Sequence, residues 1–187
     1  GHLLSFLRRD HEAIREGQIA VQLDPLSSTT QSSLGQFLFR ARKYQEALTH
    51  QKRAVELEPR NAEAYFRLGD LYVELGNYDQ ALAAFEKVGQ LTPEFDSFRA
   101  GMARVYALTG KQSEARHALR GLKADPMSLA AVYVALGDKD EALMTLEQAA
   151  KERSPTLVGL KVAQSFESLH SDPRMEALLS RLNFVTE

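Results

Sequence analysis

The sequence predicts an all-α solenoid of helix–turn–helix repeats, and three observations carry that prediction. Residues of like type recur every 34 positions, at Ala13, Ala47, Ala81 and Ala115 and again at Pro25, Pro59 and Pro93. A fixed period of this length without strand signals marks stacked helix pairs. Other positions keep the same phase: Leu34, Leu68 and Met102; Gly35, Gly69 and Ala103; Tyr44 and Tyr78; Gly76 and Gly110. Finally, 187 residues that are 44% apolar and 26% charged suffice for a short solenoid and are too apolar for a disordered chain.

The elements follow in order. Residues 9–23 read as the second helix of a repeat closed by Pro25, with 3–7 as the remnant of its first helix. The chain is therefore expected to begin inside a repeat, and 1–25 to form a truncated first repeat. Leu3, Leu4, Phe6 and Leu7 would then lack a stacking neighbour, and self-association through them is expected. The array proper covers 26–152. Unit one, 28–58, opens at a hydroxyl cap at or beside Ser28, turns at Arg42-Lys43 and holds its second helix over 44–57. Unit two, 62–91, turns at Gly76-Asn77, two residues that tolerate positive φ. Unit three, 96–123, turns at Gly110-Lys111, and unit four, 127–152, at Gly137-Asp138. Here the period slips, since Pro126 follows Pro93 by 33 residues.

Each pair exposes an apolar face that only its neighbours can bury, so small residues at Gly35, Gly69, Ala47 and Ala81 are expected where two helices approach. Tyr65, Leu68, Tyr72, Leu82 and Phe85 follow helical spacing and read as packing residues. The tail, 153–187, leaves the period. A short helical or irregular stretch from Ser154-Pro155 precedes a helix over 173–182 with Met175, Leu178, Leu179 and Leu182 on one face. It is expected to cap the last repeat, with Phe166, Leu169 and Phe184 beneath it.

Charge and composition exclude several functions. The net charge is −2, from 23 basic and 25 acidic residues, so no global field attracts nucleic acid or an anionic membrane. The best basic clusters, Arg8-Arg9, Arg40-Arg42-Lys43, Lys52-Arg53 and Arg116-Arg120, are interleaved with acids and lack alternating aromatics, so nucleic-acid binding is not expected. There is no cysteine, which excludes disulfides and thiolate chemistry and fits a reducing, cytoplasmic setting. The longest apolar run, Leu129 to Leu136, is eight residues, far below the ~20 of a membrane span. No secretory signal is visible.

No phosphate loop, nucleophile elbow or zinc helix is present, so no enzyme, cofactor or metal is expected. Glu46 and His50 lie one helical turn apart, which is the spacing of a base with an orienting carboxylate but equally of a solvated helix pair, and the second reading is favoured. Glu56 and Glu58 fall on different faces and do not form a hydrolytic pair.

The fullest copy, AEAYFRLGDLYVELGNYDQALAAFEKVGQLTPEF, carries Tyr65, Leu68-Gly69, Tyr72, Ala81, Phe85, Val88 and Pro93 in phase. It resembles the tetratricopeptide repeat (TPR) family. The resemblance implies a right-handed TPR-type solenoid of about four helix pairs plus a capping helix. It also implies a concave groove lined by first helices, where family members bind a partner peptide or helix. The groove positions carried over are Gln36, Phe39 and Arg40 in unit one, Glu63, Phe66, Asp70 and Glu74 in unit two, and Arg104 in unit three. Phe39 and Phe66 are the expected apolar anchors. The carboxylate-clamp places hold Ser32, Gln36, Arg67, Ser97 and Gly101; only Arg67 is basic, so that clamp is absent, though Arg67 joins the groove set. Asn61, Asn77 and Asn183 stand outside the groove, which removes the asparagine-based mode of peptide-pheromone receptors. The C-terminal third also resembles TPR regions of bacterial multidomain regulatory proteins. Two functions stay open: a non-catalytic scaffold that binds a protein partner in its groove, or a regulatory region of a larger bacterial signalling or transcription protein.

Overall fold

The computed structural model describes residues 2–161 and 163–182, with side chains from residue 11 onward except Val158. The side chains of Leu3, Leu4, Phe6 and Leu7, and Phe184 as a whole, lie outside the described residues. Among the described residues every regular element is helical. Two compact units are formed, Gly1–Glu94 and Phe95–Glu187.

The first unit contains α1 (His2–Leu23), α2 (Ser28–Arg40), α3 (Tyr44–Leu57), α4 (Ala62–Glu74) and α5 (Tyr78–Leu91). The expected break before residue 9 is not there; α1 runs unbroken. The stretch LRRDHE holds neither glycine nor proline, and the helix continues through it. Helices α2 and α3 form one antiparallel pair and α4 and α5 the next, with α1 packed on α2 and α3 on α4. Ile14, Leu34, Leu38, Ala47 and Leu71 make the apolar centre. Ala47 and Ala81 are fully buried at the pair crossings, as their recurrence predicts.

Both crossings are tight, the Gly69 one more so, and they are differently filled. A Cβ added to Gly69 would lie 2.5 Å from the Phe85 ring, whereas one added to Gly35 would lie 2.8 Å from Gln51 Oε1. The turns also differ. Gly76 holds φ at 72° and Asn77 returns to −86°, so only the glycine takes the left-handed conformation. One repeat earlier that place falls to Arg42, at φ 59°, a conformation that costs a side-chain-bearing residue about 1–2 kcal/mol. Ser27, not Ser28, caps α2, accepting from the Thr30 amide at 3.3 Å.

The second unit contains α6 (Ser97–Leu108), α7 (Gln112–Leu119), α8 (Pro126–Leu136), α9 (Lys139–Lys151), two 3₁₀ turns at Pro155–Gly159 and Gln164–Leu169, and α10 (Pro173–Arg181). Helix α7 ends earlier than expected because Arg120 already turns extended, with ψ at 120°. The 3₁₀ turns and α10 close the end of this unit. Phe166, Leu169, Met175 and Leu178 are buried with Ala142, Leu143, Leu146 and Ala149, each large side chain contributing roughly 1.5–3 kcal/mol. Arg174 fastens the start of α10. It binds Asp140 at 2.8 Å and Asp172 at 2.9 Å, and its hydrogen bond holds the Asp172 carboxyl down to about 2.

One polar motif occurs in both units. Asn61 caps α4 through the Ala64 amide at 3.0 Å while its amide nitrogen donates to Ser28 Oγ at 3.3 Å. Asp125 caps α8 through the Ser128 amide at 3.0 Å and accepts from Ser97 Oγ at 3.3 Å. Each cap therefore reaches the first residue of the preceding first helix.

Candidate functional site

The first unit carries a crevice between α2 and α4. Its deeper part is a pocket of about 210 Å³ lined by Gly35, Gln36, Phe39, Arg40, Gln51, Arg67, Asp70 and Leu71. A shallower hollow of about 110 Å³ adjoins it, bounded by Thr29, Ser32, Ser33, Asn61 and Glu63 and sharing Gln36 and Arg67. Helical spacing explains the wall. Gln36, Phe39 and Arg40 lie three and four residues apart on α2, as do Glu63, Arg67 and Asp70 on α4, so each trio shares a face.

The floor belongs to Gln51, which the carried-over groove positions do not include. Its side chain is fully buried, and its amide nitrogen donates to Ser32 Oγ and to the Ala64 carbonyl, both at 3.0 Å. One side chain of α3 thus ties α2 to α4 beneath the crevice. A buried amide needs such partners, because leaving it unpaired costs about 1–3 kcal/mol. The signal was available in the period: Gln51 stands where Phe85 stands one repeat later, a polar residue at an apolar place.

The walls carry opposed charges. Arg67 pairs with Glu63 along α4. The Arg40 guanidinium sits over the Phe37 ring, 5.4 Å from its centroid, and Asp70 stands with it at the pocket. Phe39 is half-buried, its ring 5.5 Å from that of Tyr44. The crevice brings together Gln36, Phe39, Arg40, Glu63, Arg67 and Asp70 of the expected groove residues. Phe66 instead lays its ring 5.9 Å from Phe85 and belongs to the α4–α5 packing. Glu74 ends α4 away from the crevice lining, and Arg104 sits half-buried on α6 of the second unit.

Of the Glu46 and His50 pair, Glu46 is exposed and bridges to Lys43 at 3.2 Å. His50 is half-buried and its Nδ1 donates to Gln31 Oε1 at 2.8 Å, the amide being oriented by its own donation to the Pro25 carbonyl at 3.0 Å. Burial lowers the His50 pKa from its ordinary value, against an opposing pull from Glu46. Among the described residues no three histidines or carboxylates are placed to hold a metal ion. No helix there is long and apolar enough to cross a membrane.

Antiparallel helix pairs stacked in series around a side-chain-lined crevice define a helical-repeat scaffold of the protein-interaction class. The chain belongs to the tetratricopeptide repeat family: three models described as tetratricopeptide repeat match residues 26–88, 73–128 and 127–154. Among solved structures, the fold is similar to TTC0263, a thermophilic TPR protein of Thermus thermophilus. That match has TM-score 0.67 and 23% identity, covering 88% of this chain and 94% of the other. It is also similar to MamA residues 41-end from Desulfovibrio magneticus RS-1, with TM-score 0.57, 21% identity and coverage of 80% and 90%. A third likeness is to PilF of Pseudomonas aeruginosa, with TM-score 0.53, 22% identity and coverage of 79% and 70%. At these identities the likenesses concern the fold alone. No curated protein matches the sequence.

Proposed function

We propose that this chain is a non-catalytic scaffold that holds a segment of a partner protein against its first helices, in the groove that Gln36, Phe39, Arg40, Glu63, Arg67 and Asp70 line. The observation that supports this most directly is the preformed crevice between α2 and α4, held from below by Gln51. Because that bridge fixes both walls before any ligand arrives, the receptor loses little conformational entropy on binding. Phe66 and Glu74 extend the proposed surface beyond the crevice, and Arg104 is proposed as a contact of the second unit in its own right. The cysteine-free sequence favours a reducing, cytoplasmic setting, and the resemblance of the C-terminal third favours a bacterial source.

The test is a capture from source-cell lysate with the full chain and a Phe39→Ala/Asp70→Ala variant. The captured protein is identified, purified and titrated against both. An affinity at least about tenfold weaker for the variant, with unchanged helicity, supports the groove. Equal affinities overturn it and move weight to a regulatory region that acts on another domain of the same polypeptide.

A further inference from the structure

The crevice has a pattern of its own, and it bears on what would fill it. The deeper end is apolar and side-chain-sized: Phe39 and Leu71 face it, Gly35 leaves one wall without a side chain, and its 210 Å³ exceeds the ~150 Å³ that holds a benzene ring. The shallow end is a polar shelf, with Thr29 and Ser33 offering hydroxyls and Gln36 an amide beside the paired Glu63 and Arg67. The charges of the crevice balance in number, two arginines against two carboxylates. Arg67 is paired with Glu63, while Arg40 on α2 and Asp70 on α4 both line the pocket. A cationic or anionic ligand meets no net charge there, whereas a neutral chain meets hydrogen-bonding groups that suit peptide N–H and C=O.

We propose that the occupant of this crevice is an extended, uncharged peptide segment. It places one branched aliphatic or aromatic side chain in the pocket between Phe39 and Leu71 and lays its main chain along the Thr29–Ser33–Gln36 shelf. This rests on the groove reading above and names its ligand class. A helical ligand needs anchors at successive turns, and the shelf beside the pocket supplies hydroxyls in place of a second apolar recess. Gln36 stands at the junction of pocket and shelf and is half-buried, so enlarging it closes the crevice without entering the core.

The probe is a phage-displayed library of random short peptides selected on the full chain, followed by synthesis of the enriched sequences. Enriched peptides are expected to share one Leu, Ile, Val, Met or Phe among uncharged neighbours. Replacing that residue by alanine, or Gln36 by tryptophan in the protein, should weaken binding about tenfold or more. Affinity should change less than about twofold between low and high salt. Charged, salt-sensitive peptides that Phe39→Ala/Asp70→Ala abolishes would overturn the ligand class and leave the groove standing. Peptides indifferent to Gln36→Trp and to Phe39→Ala/Asp70→Ala would overturn both, and failure to enrich any peptide would overturn the pocket. Gln36→Trp should keep the helicity and melting midpoint of the unchanged chain, and that comparison separates blockage from misfolding.

Discussion

Repeat one and repeat two place a glycine at the same crossing and fill the space opposite it in different ways. Under Gly69 lies the Phe85 ring; under Gly35 lies the Gln51 amide. The ring is bound to its surroundings by contact alone. The amide is bound by direction, to Ser32 on one helix and Ala64 on another. The same backbone approach thus serves as a polar brace in one repeat and as a dry joint in the next. The braced joint is the one that underlies the crevice, because hydrogen bonds fix α2 and α4 without filling the space between their outer faces.

The largest effect should come from Gly69→Leu. Any side chain begins 2.5 Å from the Phe85 ring, so overpacking is expected to remove roughly 1–3 kcal/mol or more, read as a lower midpoint in chemical denaturation. An unchanged midpoint would mean that the α4–α5 crossing is not as tight as described. Gln51→Met keeps the volume and removes the brace. It should cost about 1–3 kcal/mol, since Ser32 loses a buried partner, and the double change with Ser32→Ala should recover part of that loss. Strict additivity would refute the bond between them.

Arg42→Gly should act in the opposite direction. Relieving the left-handed residue at φ 59° gives up to about 1 kcal/mol of stabilisation, detectable as a raised melting temperature; the matching Gly76→Arg should lower it. The smallest effect is a pH dependence in repeat one. Folded His50 has a lowered pKa, so above 6.5 the imidazole is neutral in both states and its contribution is constant. As pH falls through 6.5 the unfolded chain takes up the proton first, and stability declines until the folded pKa is reached. His50→Gln should flatten the profile in that window; an identical slope would show that another group titrates there.

The repeat itself was legible because like residues at one spacing must pack alike: Ala47 and Ala81, Gly35 and Gly69, Gly76 and Gly110 fell where their recurrence put them. The faces of α2 and α4 were legible for the same reason, and six of the nine expected groove residues meet in the crevice. Phe66 stands apart from them because periodicity assigns a side chain to a face without saying whether a neighbouring ring draws it inward, as Phe85 does. The His50–Gln31 bond could not be read, since the two residues are 19 apart and only the packing of α2 on α3 brings them together. Gln51 was readable in principle, as an exception to the period at a position otherwise held by Phe85. The unbroken α1 shows the limit of reading by period: the phase called for a turn near residue 8, and the helix runs through it.

The reach-back of Asn61 and Asp125 has a consequence for how unfolding spreads. A residue that caps its own helix while bound to the preceding first helix lowers the free energy of the boundary between repeats as well as that of one repeat. In a linear array the ratio of boundary to intrinsic terms sets how many repeats melt together. Asn61→Gly, which keeps most of the capping tendency and loses the contact with Ser28, should therefore broaden the melting transition of the first unit more than it shifts the midpoint, as local fraying replaces concerted loss.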